Sequence, residues 1–117
     1  MISIATGVRI FVFTGVTDMR RSFNGLSGMV AEHFSTDLLS GHLFLFFNRR
    51  RDSIKLLHWD SDGLVIWYKR LEQGTFQMPA VSDGQVGIEM RSEELMMLLR
   101  GIDYASVKRR KRFAIAS

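Results

Sequence analysis

The chain contains no cysteine, which excludes a disulfide framework, a thiolate zinc site and a cysteine nucleophile. Long apolar runs are missing as well. Leu43 to Phe47 and Leu95 to Leu99 are among the longest, far short of the roughly 20 residues that span a bilayer. The first basic residue is Arg9, so the start of the chain does not look like a signal peptide. A reducing, cytoplasmic setting without membrane contact is expected. Catalytic motifs are absent too. There is no Gly-x-Ser-x-Gly elbow to start a hydrolase triad, and Gly84-x-x-Gly87 lacks the lysine and the helix of a phosphate loop. No two of His33, His42 and His58 have metal-ligand spacing. Nothing argues for a self-sufficient enzyme, and neither a cofactor nor a metal ion is expected.

What is present describes one soluble globular domain: 117 residues, 46% hydrophobic and 24% charged. A chain of this size can bury roughly two thirds of its extended surface and needs no staple. Sixteen Lys and Arg oppose 12 Asp and Glu, but Lys108, Arg109, Arg110, Lys111 and Arg112 are consecutive. Without those five the balance is 11 bases against 12 acids, a net of −1. The pI near 10 is therefore mainly the property of one segment.

The pattern along the chain predicts an α+β fold. Val8 to Phe13 reads as a strand, closed by Gly15. Thr17 or Asp18 can cap a helix in which Met19, Phe23, Leu26, Val30 and Phe34 form an apolar stripe over about 16 residues. Gly25 and Gly28 inside it either admit a close neighbour or are tolerated as poor helix formers. Leu43 to Phe47, continuously apolar, suits a strand covered on both faces. Ile54 to Trp59 and Leu64 to Leu71 follow, joined by Asp62-Gly63, whose tolerance of positive φ suits a tight hairpin. Leu64, Ile66 and Tyr68 fall on one face of that last strand and Val65, Trp67, Lys69 and Leu71 on the other. Gly74 and Pro79 bracket an extended piece around Phe76. Beyond the polar loop Ser82 to Gln85, Val86, Ile88 and Met90 alternate as a further strand. Ser92, Glu93 and Glu94 open a short helix with the stripe Leu95, Leu98, Leu99 and Ile102, closed by Arg100 and Gly101. The expectation is an antiparallel sheet of about 4–5 strands, one longer N-terminal helix and one short C-terminal helix. Residues 1–104 form a single domain and 105–117 a basic, flexible tail.

Two groups of residues could carry function. Asp60, Asp62 and Glu72 resemble a hard-cation site, although Asp-Ser-Asp-Gly is also what a hairpin turn requires. The basic groups say more. Arg20 and Arg21 lie in the first turn of the predicted helix, Arg49, Arg50 and Arg51 at a hairpin tip, Lys69 and Arg70 near a strand end, and Lys108 to Arg112 in the tail. Three consecutive arginines repel one another, and phosphates would relieve that repulsion through bidentate hydrogen bonds. Trp59, Trp67, Tyr68 and Phe76 could stack on unpaired bases if exposed, and otherwise belong to the core.

These residues also resemble a family. Thr17-Asp18-Met19-Arg20-Arg21-Ser22-Phe23-Asn24-Gly25-Leu26 is similar to the opening motif of the TnpB-type accessory proteins of bacterial insertion sequences of the sixty-six family. Ser40-Gly41-His42-Leu43-Phe44, Asn48-Arg49-Arg50-Arg51-Asp52, Ile54-Lys55-Leu56-Leu57, Trp59-Asp60-Ser61-Asp62-Gly63-Leu64 and Trp67-Tyr68-Lys69-Arg70-Leu71-Glu72 resemble its central signature. Leu98-Leu99-Arg100-Gly101-Ile102-Asp103 resembles its closing motif, so the likeness runs over about residues 8–104. The departures are Asn24 for an Asp, His58 for an aromatic residue, and Gln77-Met78-Pro79, where the family has a Trp before the Pro. Met78 can fill similar space.

The resemblance implies a small protein encoded beside a separate transposase and needed for efficient transposition. It is distinct from the much larger RNA-guided nucleases that share the TnpB name. The leading expectation is a non-catalytic module that helps assemble the transposase–DNA complex through DNA phosphates, using Arg20, Arg21, Arg49 to Arg51, Lys69, Arg70 and the tail bases. One alternative is a protein adaptor for the transposase, without DNA contact, using Trp67, Met96 and Met97. The minor alternative is a metal-dependent nuclease on Asp60, Asp62 and Glu72. Homo-oligomerisation is compatible with all three.

Overall fold

A computed structural model describes residues 6–78 and 84–100, together with the strand backbone of 102–103 and 108–109. Its centre is a five-stranded sheet built from β1 (Ile10–Val16), β2 (Leu43–Phe47), β3 (Ser53–Asp60), β4 (Gly63–Arg70) and β5 (Gly87–Met90), in the order β4-β3-β2-β1-β5. The sheet is mixed, which corrects the antiparallel expectation. β1 and β2 run parallel, with Ile10 opposite Leu43 and Val12 opposite Leu45, and all other neighbours are antiparallel. The physical reason lies in the connection. Between β1 and β2 the chain carries the helix α1 (Phe23–His33), and a crossover of that length returns a strand parallel to the first.

α1 covers one face of the sheet and α2 (Ser92–Arg100) the other. On the first face, Leu26, Met29 and Val30 pack with Phe11, Phe13, Phe44, Phe46 and Leu57. On the second, Leu95, Leu98 and Leu99 pack with Ile10, Val12, Leu43, Leu45, Phe47, Ile54 and Leu56. This sandwich explains why every residue of β2 is buried. The faces of β4 follow the predicted alternation: Leu64 and Ile66 join the α1 side, Trp67 and Leu71 the α2 side. Met78 packs into the α2-side core, as expected of a replacement for the tryptophan.

α1 differs from its predicted extent. It has 11 residues instead of about 16 and begins at Phe23, after a turn in which Arg21 N–H donates to the Asp18 carbonyl. Met19 packs on the core from that turn, so its spacing to Phe23 imitated a further helical turn, while Phe23 itself is exposed. Gly28 faces open space. No neighbour needs its missing side chain. Gly28→Ala is therefore expected to stabilise the domain by up to about 1 kcal/mol, measured as a higher urea midpoint; a lower midpoint would overturn this placement.

The β3–β4 hairpin also departs from prediction in detail. Asp60 pairs with Gly63, which leaves Ser61 and Asp62 as the loop, and the positive φ of 53° falls on Ser61. α2 opens with Glu94 reaching back to accept from Arg91 N–H at 3.1 Å, as an N-terminal cap would. A separate two-stranded ladder pairs β6 (Ile102–Asp103) with β7 (Lys108–Arg109), so backbone pairing enters the segment read as a tail. Pro79 and Ser82, Gly101, and the side chains of Ile102 and of Lys108 to Arg112 lie outside the described residues. No helix among the described residues is long and apolar enough to cross a membrane.

Candidate functional site

Because β1 and β2 are parallel, both end at the same edge of the sheet, with Val16 opposite Phe47. Two turns leave from that edge side by side. The first, residues 17–22, leads into α1; the second, residues 48–52, joins β2 to β3. The Thr17 N–H donates to the Phe47 carbonyl at 2.8 Å, which ties the two together.

Each turn is held rigidly. In the first, Asp18 Oδ1 accepts from the Arg20 backbone N–H at 2.9 Å, and the Arg20 guanidinium grips the same carboxylate at 2.7–3.1 Å. These hydrogen bonds hold the Asp18 carboxyl at a pKa of about 2, below the usual carboxylate range. From β3, Lys55 Nζ donates to the carbonyls of Met19 and Arg21, both at 2.7 Å, and lies 4.7 Å from the centre of the Tyr68 ring. In the second turn, Arg51 N–H donates to the Asn48 carbonyl at 3.1 Å, and the Asn48 amide donates to Asp52 at 2.6 Å. Arg51 then takes a left-handed conformation, φ 59°, while its carbonyl accepts from Phe76 N–H at 2.7 Å. A position that glycine or asparagine usually fills is here an arginine, held by its surroundings.

Between the turns lies a solvent-open cleft of about 760 Å³, to whose walls Arg21, Arg49 and Arg50 all contribute. Arg21 and Arg49 have no carboxylate partner among the described residues, and Arg50 only approaches Asp52 at 4.0 Å. Met19 and Met29 supply apolar wall, and the His33 ring lies 4.7 Å from that of Phe13. Two acids line the cleft as well: Asp18, already neutralised by Arg20, and Glu32, 3.8 Å from His33. Thr17 is the remaining wall residue of note. Only 1% exposed, its Oγ1 is the single buried side-chain polar atom without a hydrogen-bond partner among the described residues. Such an orphan costs about 1–3 kcal/mol.

The predicted site residues therefore separate. Arg21, Arg49 and Arg50 converge on the cleft. Arg20 precedes α1 instead of opening it, and points outward with its charge committed to Asp18. Arg51 belongs to the second turn but not to the cleft wall. Arg70 reaches the same edge, opposite Ser53, and pairs with Glu72 at 3.0 Å. Lys69 faces the other side of the sheet, where Nζ donates to the Leu99 carbonyl near the end of α2 at 3.4 Å. Lys108 and Arg109 lie in β7, and Arg110, Lys111 and Arg112 lie outside the described residues.

Of the proposed partner surface, Trp67 packs against the α2-side core and Met96 and Met97 are half-buried. The exposed aromatic side chain of β4 is Tyr68, at 51%. Glu72 follows the end of β4 opposite the Asp60–Gly63 turn, so the three acids do not gather; no metal-holding cluster occurs among the described residues. Sequence reasoning missed two contributors, the orphan hydroxyl of Thr17 and the Lys55 tie. A signal for the second existed. Lys55 interrupts an apolar run at a position whose parity matches Leu57, on a buried face.

Over residues 8–109 the chain matches the family described as IS66 Orf2 like protein. It is 37% identical over 110 residues to a Sinorhizobium fredii (strain NBRC 101917 / NGR234) protein named uncharacterized protein y4jC, covering 94% of this chain and 92% of that one. To uncharacterized protein y4hO of the same strain it is 35% identical over 104 residues, 89% of each chain. No solved structure matches it.

Proposed function

The chain belongs to the IS66 Orf2-like family of transposition-associated accessory proteins, and from that premise we propose that it binds DNA phosphates beside the element's transposase and helps assemble the transposition complex. One observation carries this reading: Arg21 and Arg49-Arg50, from turns far apart in sequence, line one cleft, and Arg21 and Arg49 have no carboxylate partner among the described residues. Guanidinium groups held in this way match phosphate oxygens in a bidentate geometry. The N-terminus of α1, which has no side-chain cap and no acid in its first turn, lies just beyond Arg21 and adds positive potential. Arg20 and Arg51 flank the cleft, and the bases from Lys108 to Arg112 would supply a sequence-indifferent grip.

With about five phosphates neutralised, log affinity for duplex DNA is expected to fall with log salt at a slope of roughly −4.5. Changing Arg49, Arg50 and Arg51 together to Ala should reduce the slope to roughly −1.8. Binding measured by fluorescence anisotropy across a salt series checks both values. An unchanged affinity and slope in the variant would remove the folded site from the proposal. The adaptor reading draws less support, because Trp67 is packed against the core and Met96 and Met97 are half-buried.

A further inference from the structure

The phosphate reading leaves the shape of the site unexplained. Duplex DNA offers a convex row of phosphates, which a flat or protruding basic surface meets well enough. Here Arg21, Arg49 and Arg50 line a recess. Its volume, about 760 Å³, is in the range of small-molecule sites, roughly 300–1,000 Å³. Its wall includes apolar Met19 and Met29, which do nothing for a phosphate. The wall also includes Thr17, whose buried hydroxyl has no hydrogen-bond partner among the described residues.

Resting on the proposed phosphate contact, we infer that the cleft holds one nucleotide of an unpaired DNA strand. Its phosphate lies against Arg21, Arg49 and Arg50 and accepts from Thr17; its base covers the methionine wall beside His33. Every feature then has a use. The buried hydroxyl gains an anionic acceptor, the arginines gain counter-charge, and the thioethers gain an aromatic face. Asp18 is bound to Arg20, and Glu32 stands next to His33, at the α1 side of the recess. A paired nucleotide cannot enter, because its base is held within the stack.

The test uses the full chain and three probes: a short blunt duplex, the same duplex with single-stranded overhangs, and a free deoxynucleoside monophosphate as competitor. The overhang should bind roughly a hundredfold more tightly than the blunt duplex, the low end of one charge-assisted hydrogen bond plus one stacked base. Thr17→Val should cut that preference about tenfold, the share of the hydrogen bond, and keep or raise the melting temperature, since it removes an unpartnered buried hydroxyl. Arg49→Gln, at an exposed position, gives a second variant that should weaken both probes and the overhang more. Equal affinity for the two DNA probes, or a preference that Thr17→Val does not reduce, overturns the inference while leaving the phosphate contact standing. Failure to bind either DNA overturns both. Competition by the mononucleotide without any preference for the overhang assigns the recess to free nucleotides and overturns the strand reading.

Discussion

Lys55→Met is expected to lower the stability of the domain by about 2–3 kcal/mol and, separately, to weaken DNA binding several-fold. Lys55 is 7% exposed, in the middle of β3, on the face covered by α1. Its ammonium has no carboxylate partner among the described residues; it is solvated by the Met19 and Arg21 carbonyls and by the Tyr68 ring. Methionine keeps most of the stem's volume, so the packing cost is small. What it removes is the donor for two part-buried carbonyls, each costing about 1–3 kcal/mol when left unpaired. Recovery of the lysine's own desolvation offsets part of that loss, which sets the net figure. Urea unfolding measures it. The binding effect has a different origin, since the two carbonyls belong to the turn that carries Arg21. Once released, that turn must be ordered by the ligand, and the ordering entropy is subtracted from affinity. Lys55→Arg is not expected to rescue either property, because a planar fork cannot reproduce a compact ammonium between two carbonyls. A variant as stable as the parent, with unchanged binding, would show that the tie positions nothing.

The same residue illustrates what could and could not be read from the chain. Periodicity located the elements well. The unbroken run Leu43 to Phe47 announced a strand covered on both faces, and helices do lie on both. Strand direction was another matter. Five buried residues specify that neighbours exist and say nothing of their polarity: β2, β3 and β4 are antiparallel to one another as expected, but the other neighbour of β2 is β1, which lies beyond a helix and pairs with it in parallel. The site depends on that parallel pairing, because it alone brings the turn after β1 beside the turn after β2. Arg21 and Arg49 could be singled out as unusual bases, but their meeting is a property of topology. The hairpin taught a smaller lesson. Asp62-Gly63 carried the turn signal, whereas the register of β3 against β4 put the left-handed residue at Ser61. Here cross-strand pairing along two eight-residue strands outweighed local turn preference.

Phe44→Ala should cause a still larger loss, about 3–5 kcal/mol. Phe44 is fully buried in β2, with ring centres 5.6 Å from Phe11 and 5.4 Å from Phe34. Deleting it removes both aromatic contacts and opens a cavity between sheet and α1 that the neighbouring strands, tied by their ladders, cannot collapse to fill. Leu45, one residue on, faces α2, so Leu45→Ala should cost about 2–5 kcal/mol through the opposite core. For a domain whose total stability is expected to be about 5–15 kcal/mol, either loss is a large fraction. Urea midpoints with an unchanged m value give both numbers, and a cost below about 1 kcal/mol for Phe44→Ala would refute the helix-covered face. The decisive comparison joins this core to the cleft. A cavity under α1 reduces the folded population without touching Arg21, Arg49 or Arg50, so in conditions where Phe44→Ala is still folded its salt slope should equal that of the parent. Lys55→Met should bind more weakly at equal folded population. If both variants weakened binding only in proportion to unfolding, the turn would need no tether, and the rigid clasp around the cleft would be irrelevant to DNA.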